Sequence, residues 1–247
     1  MNYTLGLVSI SFREHSPKAI LEAIKDTPLT CIEWGSDRHV PPEKAKEVAS
    51  LQAEYGVTCC SYGTYFRLGV TPLEELPGYI EAAKILGTDI LRLWCGDKGS
   101  ERYSDEEKAA LFRECRLAAK LAEQSGVTLC MECHNGTYTD TVTSALQLMQ
   151  AVNSPHFRMY WQPNQHRSEE ENRRYARLIA PYVQNLHVFQ WKGKERFSLW
   201  DGIDEWKGYL SCFPERKTLL LEFMPDDDIR SLPNEIEALC EIAGGTK

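Results

Sequence analysis

Leu129-Cys130-Met131-Glu132-Cys133-His134-Asn135-Gly136-Thr137 begins as a short apolar run and turns polar within two residues. A helical stretch ends just ahead of it at Ser125-Gly126, so the segment reads as a strand that delivers polar groups at its carboxyl end. Alternation along a strand sends Cys130, Glu132 and His134 to one face and Leu129, Met131 and Cys133 to the other. A carboxylate and an imidazole then share a face. In an α/β barrel the face away from the helices looks into the lumen, and chemistry gathers where strands end. Taken alone, the same residues also suit a helix cap and turn with Glu132 in an ordinary ion pair, so the other strand ends have to decide.

Working outward, strand and helix patterns alternate eight times. Residues 3–10 are apolar and β-branched, and Ser16-Pro17 opens a helix to about residue 25, as serine caps and first-turn prolines do. A second strand at 30–34 precedes Pro41-Pro42 and a helix to Tyr55, stopped by Gly56. The third strand, 57–62, leads to a helix from Thr71-Pro72 to Gly87. After the fourth, 88–94, Ser104 and Glu107 form a capping box on a long helix to Ser125. The fifth strand covers 127–133, and its helix runs from about Thr139 to Ser154-Pro155. Strand six at 157–162, a helix at 168–180 and strand seven at 183–189 follow. Then come a polar, aromatic loop, a short helix at 204–210, strand eight at 217–223 and a last helix at 233–242. This pattern predicts an α/β fold, a single (β/α)8 barrel of one domain spanning residues 1–247, with a disordered tail from Gly244 to Lys247. A dinucleotide-binding open sheet would want G-x-G-x-x-G after the first strand, where Ser11-Phe12-Arg13-Glu14 offers no glycine.

Composition narrows the function. With 43% hydrophobic and 26% charged residues the chain can bury a full core, and a net charge of −8 leaves no basic surplus for gripping a phosphate backbone. Nucleic acid is therefore not an expected partner. No apolar run reaches the roughly 18 residues of a membrane span. Nine scattered cysteines and no N-terminal leader pattern predict a reducing, cytoplasmic setting. Cys130 and Cys133 form a C-x-x-C, but strand alternation points their sulfurs to opposite faces, which suits buried thiols better than zinc or redox chemistry.

The carboxyl ends of the strands carry Glu33, Arg92, Glu132 with His134, Gln162, His187 and Glu222. Barrel closure gathers the ends of strands five to eight at one side of the mouth, so Glu132, Gln162, His187 and Glu222 can converge on one divalent ion. Two carboxylates, an imidazole and an amide oxygen suit manganese, magnesium or cobalt ahead of zinc. Glu222 lies between Leu221 and Phe223, where an acid is costly unless paired or coordinated. The duller readings are a hydrogen-bonded core histidine for His187, a buried amide satisfying backbone for Gln162, and for Arg92 a counter-ion to Glu33 or Glu132. Trp34, Tyr62, Tyr65, Phe66, Trp94, Trp161, Phe189, Trp191 and Trp200 cluster near the same ends, some as packing and some as faces for sugar C–H groups. Lys192, Lys194 and Arg196 follow strand seven, either as a solvated loop or as contacts for a substrate anion.

These motifs, Cys-Ile-Glu-Trp at 31–34, Ile-Leu-Arg-Leu at 90–93, Met-Glu-Cys-His-Asn-Gly at 131–136, Asn-Leu-His-Val at 185–188 and Leu-Leu-Glu-Phe at 220–223, come in an order that resembles the xylose isomerase-like TIM barrels. That superfamily of sugar-phosphate isomerases and epimerases also contains inosose dehydratases and endonuclease IV. The resemblance implies that Glu132 and Glu222 bind a metal and exchange protons with substrate, and that His187 binds the same metal. It also marks departures: Gln162 stands where the family shows an aspartate ligand, and Gln190 where a second acid is usual. An amide oxygen brings no formal charge, so weaker metal binding is expected, with His166 as a replacement near at hand.

The leading expectation is a divalent-metal-dependent sugar or sugar-phosphate isomerase or epimerase that works by proton abstraction beside a carbonyl through an enediolate. Glu132 and Glu222 are its catalytic pair, and Glu33, Arg92, His134, His166 and Trp94 its substrate contacts. The alternatives are an inosose-type dehydratase using the same ligands and a noncatalytic carbohydrate-binding barrel that has lost its metal. An endonuclease IV-like activity would need a richer cluster of histidines and aspartates, and strand three carries no histidine. The expected partner is a small carbohydrate or polyol, with self-association left open.

Overall fold

The structure is a computed structural model that describes residues 3–244. Eight parallel strands close on themselves: β1 (Thr4–Val8), β2 (Cys31–Gly35), β3 (Thr58–Leu68), β4 (Ile90–Cys95), β5 (Thr128–Glu132), β6 (Phe157–Trp161), β7 (Val183–Val188) and β8 (Thr218–Leu221), with β8 pairing back onto β1. The helices α1 (Pro17–Ile24), α2 (Ala45–Glu54), α3 (Leu76–Leu86), α4 (Asp105–Ser125), α5 (Val142–Val152), α6 (Glu169–Ile179), α7 (Ile203–Leu210) and α8 (Leu232–Ile242) follow their strands in turn. This is the predicted (β/α)8 barrel. Residues 245–247 of the predicted disordered tail lie outside the described residues.

Local chemistry explains the boundaries. Ser16 caps α1, and the Ser104–Glu107 capping box opens α4 as the sequence predicts; Ser168 with Glu171 does the same for α6. The helix after β5 starts later than expected, at Val142 with Thr141 as its cap. The delay has a cause: the buried Thr139 hydroxyl donates to the carbonyl of Glu132 at 2.5 Å, which ties the loop to the strand end. β3 overruns its predicted end by six residues. Gly63 reads as a strand breaker, but Thr64, Tyr65 and Phe66 continue the extended chain, with register shifts against both neighbours. The overhang lifts Tyr65 to the mouth.

Alternation divides the core into two bodies. Leu129, Met131 and Cys133 join the large apolar layer between barrel and helices, whereas Cys130 packs in the lumen with Val8, Ile10, Cys31, Tyr160 and Leu220. The two sulfurs of the C-x-x-C thus face opposite layers, and all nine cysteines are free thiols. Trp34, Tyr62, Phe66 and Trp161 belong to the outer layer and not to the mouth. Among the described residues no helix is long and apolar enough to cross a membrane.

Gly6 lets the lumen close. A Cβ there would stand 2.8 Å from the Cys31 carbonyl oxygen and 2.8 Å from Leu220 Cδ2, so a methyl group has to push against backbone. Gly6→Ala is expected to lower the unfolding free energy by about 2 kcal/mol with an unchanged m-value in urea titration.

Candidate active site

The floor of the site is an ion network sealed inside the barrel. Arg92, on β4, is 2% exposed; its Nε donates to Glu33 Oε1 at 2.8 Å and its Nη1 to Glu132 Oε2 at 2.7 Å. Ser61 Oγ donates to the other Glu33 oxygen at 2.6 Å. Gly63 makes room, because a Cβ there would lie 2.7 Å from Glu33 Oε1 and 2.8 Å from Arg92 Nη2. Burial by itself would raise the Glu33 carboxyl, but Arg92 first, then His187 and Ser61, outweigh it and hold it at about 2. The same competition, again won by Arg92, depresses Glu132, which also accepts a short hydrogen bond from the Trp94 indole.

Above this floor sits His187, fully buried and set edge-on to Tyr160, whose hydroxyl accepts from Asn185 at 2.6 Å. Nδ1 lies 3.0 Å from Gln162 Oε1, 3.5 Å from Glu132 Oε1 and 3.6 Å from Glu222 Oε2. Nε2 is 3.3 Å from Glu33 Oε1 but out of line for a hydrogen bond, so that contact is a coulombic one. Desolvation would lower the imidazole, yet Glu222 and Glu33 raise it to about 10, so it is a cation at neutral pH and its Nδ1–H donates to Gln162. Glu222 differs from the other two acids. Burial pushes its carboxyl up, to about 7, and among the described residues no side chain or backbone group donates a hydrogen bond to it.

Glu222 owes its aim to the next residue. Phe223 has φ +58°, left-handed backbone that a bulky L-residue adopts only under constraint. Its amide donates to Ser11 Oγ at 2.9 Å, and its ring lies 5.0 Å from Trp191, with the Arg196 guanidinium over both rings.

A cavity of about 380 Å³ opens over these groups. Glu132, Gln162 and Glu222 line it, as do Trp94, His134 and His166, so most residues expected to touch substrate do face one space. Glu33 and Arg92 do not: they lie beneath the lining, occupied with each other, His187 and Glu132, and the duller counter-ion reading of Arg92 is the one its geometry matches. His134 stacks on Trp94 with centroids 4.8 Å apart and planes 25° from parallel. Asn135 and Asn164, which sequence reasoning passed over, pair their amides across the rim, Asn164 Nδ2 donating to Asn135 Oδ1 at 2.6 Å. Asn135 follows His134 and Asn164 lies two residues after Gln162, both close to strand-end residues already singled out, which is the signal that could have found them. Ser61, Asn185 and Tyr160 were also missed, because a polar residue inside an apolar strand gives no hint of its partner.

The donor set can be tested against a divalent ion. No group of three or more His, Cys, Asp or Glu among the described residues is drawn together as a metal cage. The set that converges includes an amide: three oxygens stand 3.0–3.6 Å from His187 Nδ1, the spacing of donors that share an ion at bond lengths of about 2.1 Å. Glu132, Gln162, His187 and Glu222 therefore fit such an ion, on condition that His187 gives up its Nδ1 proton. Glu33 would then face the ring from below at 3.3 Å from Nε2, as an electrostatic neighbour only.

A closed parallel barrel with acids, an imidazole and an amide gathered at the carboxyl ends of β5 to β8 places its polar groups where barrels of this kind carry strand-end sites. The family model for the xylose isomerase-like TIM barrel matches residues 21–212, and the chain belongs to that family. A 3-dehydroshikimate dehydratase of Bacillus anthracis is 31% identical over 72 residues, a match spanning 29% of this chain and 26% of that enzyme. The solved structure of a probable 3-DHS dehydratase from the same organism superposes with a TM-score of 0.75 at 18% identity, over 97% of this chain and 98% of that one. The IOLI protein with a bound zinc atom gives 0.77 at 13% identity over 99% and 98%. A D-psicose 3-epimerase of Clostridium cellulolyticum with D-tagatose gives 0.67 at 13% over 99% and 98%. At these identities the structural likeness is one of fold.

The network makes two predictions. Because the folded-state value of Glu33 lies below its ordinary 4.5, its contribution is full above about pH 4.5 and is lost as the pH falls toward 2. Glu33→Gln is expected to lose about 3 kcal/mol at pH 7 and to lack that share of the acid-induced decline, read from denaturant melts at pH 7 to 3. Gln162→Glu restores a formal charge to the donor set, so manganese affinity measured by calorimetry is expected to rise by about tenfold or more.

Proposed function

We propose that the protein is an enzyme that removes a proton from the carbon beside the carbonyl of a small polyhydroxylated substrate, with Glu222 as the base. The observation that carries this reading is the inequality of the acids. Glu33 is sealed beneath the cavity, and Glu132 is held by Arg92 and Trp94. Glu222 alone among them both lines the cavity and lacks a hydrogen-bond donor among the described residues.

The division of labour favours a one-base course. Glu222 takes the C–H proton, the bond's electron pair becomes the new C=C, and the carbonyl oxygen gains the negative charge. For aldose–ketose isomerisation the hydroxyl proton on the carbon that lost its hydrogen passes to the former carbonyl oxygen, Glu222 returns its proton to the former carbonyl carbon, and the new carbonyl forms at the carbon that lost its hydrogen. Epimerisation by a second acid would call on Glu132, whose Oε2 carries two donors and whose carboxyl Arg92 holds low, so it is a poor proton donor and isomerisation is the preferred form of the sequence-based expectation. When bound at Glu132, Gln162, His187 and Glu222, a divalent ion supplies polarisation of the carbonyl and acidifies the adjacent C–H. His134, braced on Trp94, and the Asn135–Asn164 amide pair are placed to hold substrate hydroxyls. Tyr65, Trp94 and Trp191 offer faces for sugar C–H groups.

A second reading is β-elimination, in which the same enolate expels hydroxide from the next carbon and Glu222 keeps the proton. The 31% identity to a dehydratase over 72 residues supports it. The two part by product: elimination yields an enone with ultraviolet absorbance, and isomerisation in D2O yields a sugar of unchanged mass apart from incorporated deuterium.

Glu222→Gln is expected to lower turnover of any accepted aldose, ketose or ketocyclitol by about 10²-fold or more and to stop solvent exchange of the substrate C–H. Its folded state is expected to be at least as stable as the parent above pH 7, where the buried carboxylate is costly. Full activity in that variant would overturn the assignment.

A further inference from the structure

A second cavity, of about 490 Å³, adjoins the first, and Phe189, Trp191 and the segment 163–166 line both. The chemistry above makes no use of it. Its polar groups are built into the fold. Gln190, 5% exposed, presses its amide against Gly202, where a Cβ would come within 2.3 Å of Oε1, and its Nε2 donates to Glu205 Oε2 at 3.3 Å. Tyr209 donates to the other Glu205 oxygen. Asn172, 3% exposed, accepts from the Asn164 amide at 2.8 Å and donates to the Asn164 carbonyl at 3.1 Å, fixing the shared wall. On the outer side the two-residue strands Trp191–Lys192 and Glu195–Arg196 form a hairpin, anchored where Gly193 N donates to Gln165 O at 2.9 Å.

The charge of this lining is balanced. Lys192 and Arg167 stand against Glu169 and Glu205, and the Arg167 guanidinium is already engaged on the Asp140 carbonyl at 2.7 Å. Held amides, a carboxylate with spare acceptor capacity and an aromatic wall suit hydroxyls and C–H faces; a phosphate would want an unpaired basic cluster. Trp191 stands between the two spaces, 5.5 Å from Phe189 and 5.0 Å from Phe223.

We propose that the second cavity is a subsite for a second, uncharged sugar ring, so that the substrate is a disaccharide or glycoside whose reacting ring lies over Glu222. The proposal rests on the carbohydrate reading of the first cavity. Gln190, whose amide is braced by Gly202 and Glu205, serves this subsite.

Nitrogen-15 amide spectra of the full chain, titrated with methyl glucoside and with maltose, cellobiose and sucrose, separate the possibilities. A disaccharide is expected to shift the amides of Glu132, His134 and Glu222 together with those of Gln190, Gly193 and Glu205, whereas methyl glucoside shifts only the first set. It is also expected to bind about tenfold more tightly than methyl glucoside, an advantage that Glu205→Gln removes and that Lys192→Ala, at an exposed position safe for folding, reduces. Disaccharides that shift only the first set, or bind no better than methyl glucoside, or keep their advantage in both variants, overturn the subsite. If neither sugar length moves the first set, the carbohydrate reading itself fails; if methyl glucoside moves it and no disaccharide does, the second subsite alone fails.

Discussion

A guanidinium enclosed among carboxylates is the constraint on which the rest of this barrel mouth depends. Arg92 bridges Glu33 and Glu132 in a space from which water is excluded, and without it two buried acids would have to take up protons. A lysine at the same position would bring one point charge, where the planar fork of arginine reaches both partners at once. Gly63 follows from that choice, since the fork and Glu33 occupy the volume of a missing side chain. So does the inequality of the glutamates: the bridge holds the Glu132 carboxyl low and leaves Glu222 without a donor among the described residues, which is the difference that the proposed role of Glu222 as a base draws on.

The same network sets up a competition at His187. Its imidazolium supplies a positive charge at the point where a cation would be held, balanced by Glu132 and Glu33 and steadied by the Gln162 carbonyl. A divalent ion has to displace that proton, and an amide in place of an acid weakens its case. Gln162 would therefore shift such a competition toward the proton while leaving the donors where they are.

Much of this was legible in the chain, for reasons that can be stated residue by residue. The eight strand–helix units were readable because Ser16, Ser104 and the glycines after α3 and α4 punctuate them with specific cap chemistry. Glu132, His134, Gln162 and Glu222 stood out because each is a polar residue at the end of an apolar strand, and all four face the cavity. The overhang of β3 was hidden by Gly63, which looks like a terminator until its close approach to Arg92 is seen. Glu33 and Arg92 were misplaced into the substrate layer for a different reason. Strand register and barrel stagger decide whether an inward side chain ends in the floor or the opening, and neither can be read from one strand. The aromatic residues separated on the same principle: Trp34 and Trp161 point outward to the helices, while Trp94 and Trp191 meet the cavity.

The left-handed turn at Phe223 joins two things that are usually independent. An aromatic residue stays in that conformation because Ser11 grips its amide and Trp191 and Arg196 clasp its ring, so the clasp, not the strand, sets the direction of the preceding carboxylate. Whatever loosens the hairpin also loosens the hold on the Glu222 carboxylate. Fidelity of aim is thus delegated to a surface ornament, residues 191–196, well removed from it in the chain.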